Sequence, residues 1–180
     1  MDRVEIVAEM REAAADFRTL LDTATSAELR RGSEGTKWTN EQLLFHMLFG
    51  YLVVRRLLPL VRILGRMPPG VSRTFAAALN AATRPFHVVN YLGSLGGARA
   101  LGHGGMERTF DRVVNGLATS LLRAGEAELA RGMHFPTGWD PYFRDYMTLA
   151  DVYHYATQHY LHHRRQLTLA RLADTRHPQA

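Results

Sequence analysis

Two histidines near the end of the chain, His159 and His163, are spaced so that both could bind one metal ion. No Pro or Gly interrupts residues 148–172, and Thr148 followed by Asp151 is typical of a helix start. On a helix, side chains four residues apart share a face, with Cβ atoms about 5–6 Å apart. This pair falls on the face expected to meet the core, where an imidazole without a partner costs about 1–3 kcal/mol. A shared divalent cation would explain the pair, and surface or hydrogen-bonded core histidines remain the alternative.

A third imidazole is predicted on an earlier helix. Thr39 and Gln42 fit a capping box directly before an apolar run, so a helix should begin near Asn40. Its inward face would carry Leu43, His46, Phe49, Gly50, Val53 and Leu57. The candidate metal ligands are therefore His46, His159 and His163.

Four long amphipathic helices must position these residues. Apolar spacing predicts helices over residues 2–21, from Asn40 onward, over residues 106–130 and over residues 148–172. Pro59 should kink or end the second helix. We expect an irregular, glycine-rich connection over residues 66–105, with a short helix near residues 72–82, and no strand. These elements predict an all-α fold, a single domain over residues 1–180 that forms a four-helix bundle with a long crossover connection between helices 2 and 3.

Composition narrows the function classes. The 180 residues include no cysteine, which excludes a thiolate ligand, a protein thiol nucleophile and a disulfide framework. Residues 42–106 contain no Asp or Glu but seven Arg, so this part should carry a positive potential. The sequence shows no export signal, no membrane span and no recognised nucleic-acid motif. We expect a cytoplasmic protein without a specific nucleic-acid partner.

As a set, these motifs resemble the DinB superfamily of metal-binding four-helix bundles. They are Trp38-Thr39 before a predicted helix, His46 within it, and His159-Tyr-Leu-His-His163-Arg164-Arg165-Gln166 in the last helix. The family pattern is Trp-[Ser/Thr], a lone His in the second helix and H-x-x-x-H-R-x-Q in the last. The resemblance implies that the three histidines bind one divalent metal, with water in the remaining positions, and that the protein is a homodimer. This chain has Arg165 at the common glycine position, and its connection over residues 66–105 looks longer than expected for the family.

The resemblance also implies an activity. Family members of known activity are thiol-dependent transferases and isomerases that use mycothiol, bacillithiol or glutathione. We therefore expect a metal-dependent thiol S-transferase or isomerase that takes a small-molecule substrate, with a divalent metal ion (Zn, Ni or Fe) and a low-molecular-weight thiol as co-substrate. Three neutral imidazoles leave the ion's charge uncompensated, which favours deprotonation of a coordinated thiol or water. A metallohydrolase that uses metal-bound hydroxide, and a non-catalytic module that binds a ligand or an anionic surface, are the alternatives.

Five further residues are candidates for supporting roles. Gln42, Tyr155 and Gln166 could orient a ligand ring or a bound water, or could be ordinary polar residues at a helix seam. Gly50 could leave room beside the metal or allow close helix packing. Trp139, in an aromatic loop, could contact substrate or belong to the core. The apolar run at residues 57–61 is a candidate dimer interface.

Overall fold

The computed structural model describes residues 2–169 of the chain as a helical bundle. The elements in order are α1 (Arg3–Thr23), α2 (Ser26–Arg30), α3 (Asn40–Leu64), α4 (Pro69–Ala81), α5 (Thr83–Arg123), α6 (Glu126–Leu129), β1 (Gly132–His134), β2 (Tyr146–Thr148) and α7 (Leu149–Arg164). The long helices α1, α3, α5 and α7 form the bundle. Helix α3 packs against α5 and α7, and α1 packs against the same two helices. The predicted all-α four-helix bundle is confirmed.

Two capping boxes set where the histidine-bearing helices begin. In α3, Thr39 accepts a hydrogen bond from the backbone N–H of Gln42, and the Gln42 side chain accepts one from the backbone of Thr39. In α7, Thr148 and Asp151 form the same reciprocal pair, with Asp151 Oδ2 2.8 Å from Thr148 N. Both predicted starts are therefore confirmed. Helix α7 ends at Arg164, earlier than predicted, so Gln166 lies beyond it.

The connection between the second and third bundle helices is helical. The short helix predicted near residues 72–82 is present as α4, whereas the prediction of an irregular passage after it was wrong. The connection consists of α4 and the first half of α5, which bends at Gly102, where φ is +57°. The small residues of this stretch allow close helix packing. A Cβ at Gly97 would lie 2.0 Å from Cζ of Phe45, and Ser94 and Ala98 are buried on the same side. Gly97 therefore allows α5 to pack closely against α3, whereas Gly102 interrupts the helix.

Pro59 was predicted to kink or end helix α3; the helix continues through it to Leu64 and so does not end there. Pro59 and Arg55, whose carbonyl loses its helical hydrogen bond, are both exposed, and water can satisfy that carbonyl. Leu58 and Val61 are buried in the protomer's own core. The apolar run at residues 57–61 thus points largely inward. Within the described residues, no helix combines the length and the hydropathy that a bilayer span requires.

A two-stranded antiparallel sheet precedes α7, although no strand was predicted. Strands β1 and β2 pair Gly132 with Thr148 and His134 with Tyr146. Each strand has only three residues, too few to show an alternating pattern. A Cβ at Gly132 would lie 2.3 Å from the carbonyl oxygen of Met147, so the close pairing requires glycine there. The sheet closes the base of the aromatic loop, residues 135–145, and leads directly into α7.

One aromatic ring from each bundle helix meets in the core. The set, called the aromatic cluster below, is Phe17, Tyr51, Phe110 and Tyr160. The Phe17 and Phe110 rings are 4.5 Å apart, and the Tyr51 and Phe110 rings are 4.8 Å apart. Such rings bury large apolar areas and have preferred contact geometries. The cluster therefore holds α3 and α7 together within about one turn of His46 and His159.

Candidate metal centre

The structure brings His46, His159 and His163 together between α3 and α7. The ring centroids of His46 lie 4.9 Å from His159 and 4.6 Å from His163, and the last two are 4.6 Å apart. One nitrogen from each ring lies within 4.8 Å of the others. His46 and His159 are each only 4% exposed. The three nitrogens can thus reach a common point, as one metal ion requires.

Ser94 determines which nitrogen of His46 is free. Ser94 Oγ donates its single hydrogen to the carbonyl oxygen of Asn90, 2.9 Å away. His46 Nδ1 lies 3.2 Å from the same Oγ, which can then only accept. His46 therefore carries its proton on Nδ1 and presents the lone pair of Nε2.

Gln166 has the same effect on His163. Its side-chain Oε1 lies 2.6 Å from His163 Nδ1. A carbonyl oxygen has no hydrogen to give, so Nδ1 of His163 donates and Nε2 keeps a lone pair. Gln166 acts from the turn after α7, outside the helical face on which it was predicted. Outer partners of this kind orient metal-binding histidines and fix their tautomer.

His159 is the least satisfied of the three rings. Its Nδ1 is buried and has no hydrogen-bonding partner among the described residues. Its Nε2 lies 3.7 Å from Oδ2 of Asp140, too far for a hydrogen bond. A Cβ at Gly50 would lie 2.4 Å from His159 Nδ1. Glycine is therefore needed on α3 because the ring of His159 occupies the space that a side chain would fill.

Burial keeps the three rings neutral at neutral pH. It lowers the pKa of His46 to about 3, with a further contribution from nearby His163. Burial also lowers the pKa of His163 to about 4, against the effect of the hydrogen bond to Gln166, and lowers that of His159 well below its ordinary value. Neutral imidazoles are the form that binds metals. Since His159 is uncharged, its contact with Asp140 is not an ion pair.

These observations fit a divalent transition metal. Three neutral rings converge, two of them have their outer nitrogens engaged, and the third has an unpaired buried nitrogen. Among the described residues, no carboxylate belongs to the group. An all-imidazole set suits Zn, Ni and Fe and leaves positions for other ligands.

Trp38 closes one side of the centre. Its ring stacks on His46 with centroids 4.3 Å apart and an angle of 27° between the planes. It also meets the edge of His163 at 6.3 Å and lies beside Tyr91. The tryptophan that precedes the α3 cap therefore covers the face of His46 and lies against the edge of His163.

The remaining predicted residues occupy different places. The side chain of Gln42 is engaged in the α3 cap, where it accepts from Thr39 N at 3.1 Å. Tyr155 donates its hydroxyl hydrogen to Asp140 Oδ2 at 2.9 Å. Trp139 donates from Nε1 to the carbonyl oxygen of Leu79 at 2.8 Å.

Two residues near the histidines were missed in the sequence. Ser94 falls in the stretch taken as irregular, where small residues three to four positions apart were the available signal of a closely packed helix. Asp140 lies in the aromatic loop, and nothing in its spacing relates it to His159. Burial raises the pKa of its carboxyl, although the hydrogen bonds from Tyr142 N and the Tyr155 hydroxyl oppose this.

An apolar cavity opens beside His46 and His159. Its walls come from α3, α4, α5, α7 and the aromatic loop. Its aromatic lining consists of Phe49, Phe75, Phe86, Phe135, Trp139, Phe143 and Tyr155. A second molecule bound there would lie against the metal centre.

Comparison with protein families gives one match. The model of the DinB superfamily matches residues 9–167, a range that includes all three histidines. Comparisons with curated proteins and with solved structures find no significant match.

Proposed function

Since the chain belongs to the DinB superfamily, we propose that it is a metal-dependent enzyme of the thiol S-transferase or isomerase type. The observation that supports this most strongly is the convergence of three neutral imidazoles, His46, His159 and His163, with their lone pairs available to one ion. The chain has no cysteine, so the reacting thiol would be a small molecule.

A divalent ion bound by three uncharged ligands would lower the pKa of a thiol at an open position, making thiolate available at neutral pH. In the transferase reaction, sulfur forms a bond to an electrophilic carbon of the second substrate. The bond from that carbon to its leaving group breaks, its electron pair departs with the leaving group, and the thiol proton passes to water. Ser94 and Gln166 orient two of the rings so that each could offer Nε2 to the ion, and Trp38 stacks on His46.

The test is thiol consumption by the metal-loaded protein. Bacillithiol, mycothiol and glutathione would each be offered with a panel of electrophiles, and loss of free thiol would be followed over time. We expect consumption by the wild type and by His154→Ala, whose histidine also lies on α7 but outside the metal group, and none by His159→Ala. A metal-replete wild type that is inert towards the whole panel would contradict the proposal, and ester hydrolysis without thiol would replace it with a metallohydrolase.

A further inference from the structure

The cavity beside the metal centre follows one face of α3 away from the histidines. His46, Gly50, Val53, Leu57 and Leu60 all line it, at intervals of three or four residues. This spacing is one helical face. The cavity therefore begins at the imidazoles and extends along several turns of the helix.

The opposite wall is held in position by specific contacts. Trp139 of the aromatic loop stacks on Phe86 of α5, with centroids 3.9 Å apart and 8° between the planes. Its Nε1 donates to Leu79 O on α4, and Gly138 N donates to Oδ1 of Asn80. Three elements are thus joined at this wall. The cavity is a built feature of the fold and not a gap between loose side chains.

The polar groups of the cavity lie at its histidine end. Asp140 is 3.7 Å from His159, and the hydroxyl of Tyr155 is engaged by Asp140. The carbonyl oxygen of Asn90 accepts from Ser94, the partner of His46. Farther along α3, the lining is Val53, Leu57, Leu60, Phe75 and Leu79. A ligand that matches this lining has a polar end at the imidazoles and an apolar remainder.

The cavity is also small for the length of α3 that lines it, from His46 to Leu60. Its volume is about 80 Å³, below the 150 Å³ or so of an engineered cavity that holds benzene. This space suits a slender chain and disfavours a bulky or polycyclic group.

We propose that the second substrate carries an unbranched alkyl chain that lies along α3, with its electrophilic carbon at the histidine end. The assignment of the reacting end rests on the proposed thiol chemistry. The assignment of the chain rests on the shape and lining of the cavity alone. A chain longer than the cavity would extend through its mouth.

The first experiment measures binding without any thiol. Straight-chain 1-alkanols from butanol to dodecanol would be titrated calorimetrically into the metal-loaded protein. Affinity should rise about threefold to fourfold per added methylene and level off once the chain is longer than the cavity. Branched isomers of equal carbon number should bind at least tenfold more weakly. Affinity that does not depend on chain length, or equal affinity for branched and straight isomers, would overturn the inference.

Variants of α3 locate the chain. Leu57→Trp fills the cavity and should weaken octanol binding at least tenfold, while metal affinity stays unchanged. Ile63→Trp is the matched control, because Ile63 lies on the same helix, is 56% exposed and does not line the cavity. Val53→Thr keeps the shape but adds a hydroxyl, and it should weaken binding a few-fold even if Leu57→Trp does not fold. Folded cavity variants that bind octanol as the wild type does would refute the placement.

The two proposals fail separately. Chain-length-dependent alkanol binding in a protein that consumes no thiol would leave the cavity assignment standing and remove the proposed reaction. Thiol consumption whose rate is the same for short and long alkyl electrophiles would support the proposed reaction and remove the cavity assignment.

Discussion

Helices α3 and α7 each contribute to two buried sets of side chains. The polar atoms of one set all have hydrogen-bonding partners, and some of those in the other set do not. Tyr51 and Tyr160 belong to the aromatic cluster, whereas His46 and His159 belong to the metal centre. In the cluster, the hydroxyl of Tyr51 pairs with Thr157 Oγ1 at 3.0 Å, and that of Tyr160 donates to an Asp16 carboxylate oxygen at 2.7 Å. Both buried hydroxyls are satisfied within the chain.

In the metal centre, the protein pairs one nitrogen of His46 and one of His163, and neither nitrogen of His159. Ser94 and Gln166 accept from Nδ1 of His46 and of His163, so the inner nitrogens keep their lone pairs. Buried polar atoms without partners are costly and uncommon. The same two helices thus hold one polar set whose hydroxyls are paired within the chain and, within about a turn, one set whose lone pairs remain available to a cation. The difference separates a satisfied core from a candidate binding site.

The largest expected effect comes from Gly50→Ala, which should disturb the metal centre and leave the aromatic cluster unchanged. The new Cβ would meet His159 Nδ1 at 2.4 Å, so the ring must move off the common point. We expect metal affinity to fall about 100-fold or more, at or beyond the upper end for loss of an outer partner. Calorimetric metal titration measures this.

Gly116→Ala on α5 is its matched control. A Cβ there meets no atom within 4 Å, and the residue is an exposed helical position. It should leave metal affinity unchanged and raise the free energy of unfolding by about 0.5–1 kcal/mol. Equal metal affinity of Gly50→Ala and the wild type would contradict the close contact with His159.

Ser94→Ala should have the next largest effect on metal binding. Without its acceptor, Nδ1 of His46 loses its partner, and the preference for a free Nε2 disappears. The expected loss of metal affinity is about 10-fold to 100-fold. Ser120→Ala is the comparison on the same helix, because Ser120 Oγ accepts from the Tyr153 hydroxyl, away from the histidines. It should change stability and leave metal affinity intact; a reversed pattern would contradict the assigned roles.

Acid should lower the free energy of unfolding of the metal-free protein through the histidines of the metal centre. His46 and His163 have pKa values near 3 and 4 when folded, because burial disfavours their charged forms, and about 6.5 when unfolded. Between these values the unfolded chain binds more protons, so the free energy of unfolding falls as pH falls from about 6.5 towards 3. Denaturant titrations at several pH values measure the slope. His46→Phe should reduce it, and an unchanged slope in that variant would contradict the prediction.

The parts of this site that the sequence predicted depend on short-range rules. Capping boxes at Thr39 and Thr148 give the starts of α3 and α7, and the helical period then places His46, His159 and His163 on inward faces. Side-chain spacing along a helix is local, so it can be read without the fold. The availability of the nitrogen lone pairs depends on contacts between residues that are far apart in the chain.

Those contacts could not be predicted from local pattern. Ser94 is far from His46 in the chain, and its glycine neighbours resemble a loop unless Gly97 is known to pack on Phe45. Asp140 reaches Tyr155 and the neighbourhood of His159 only because the short strands on either side close its loop. In each case, tertiary packing selected one of several conformations that the local sequence allows.

The smallest expected effect is that of Tyr160→Phe, which tests the aromatic cluster. The substitution removes one hydrogen bond to Asp16, but Asp16 keeps its pairing with the guanidinium of Arg164. No buried group loses its last partner, so the free energy of unfolding should fall by only about 1 kcal/mol. Metal affinity should not change, although Tyr160 is the neighbour of His159 in the chain.

Tyr51→Phe sharpens the same comparison. Its partner Thr157 is 3% exposed and would lose the hydrogen bond that joins α3 to α7. The cost should therefore exceed that of Tyr160→Phe, at about 1–3 kcal/mol, again with wild-type metal affinity in the folded protein. Thermal and denaturant unfolding give the stabilities, and metal titration gives the affinities. If either tyrosine variant lost metal as Gly50→Ala is expected to, the aromatic cluster and the metal centre would be one coupled unit, because a change confined to a satisfied hydroxyl would then have moved the imidazoles.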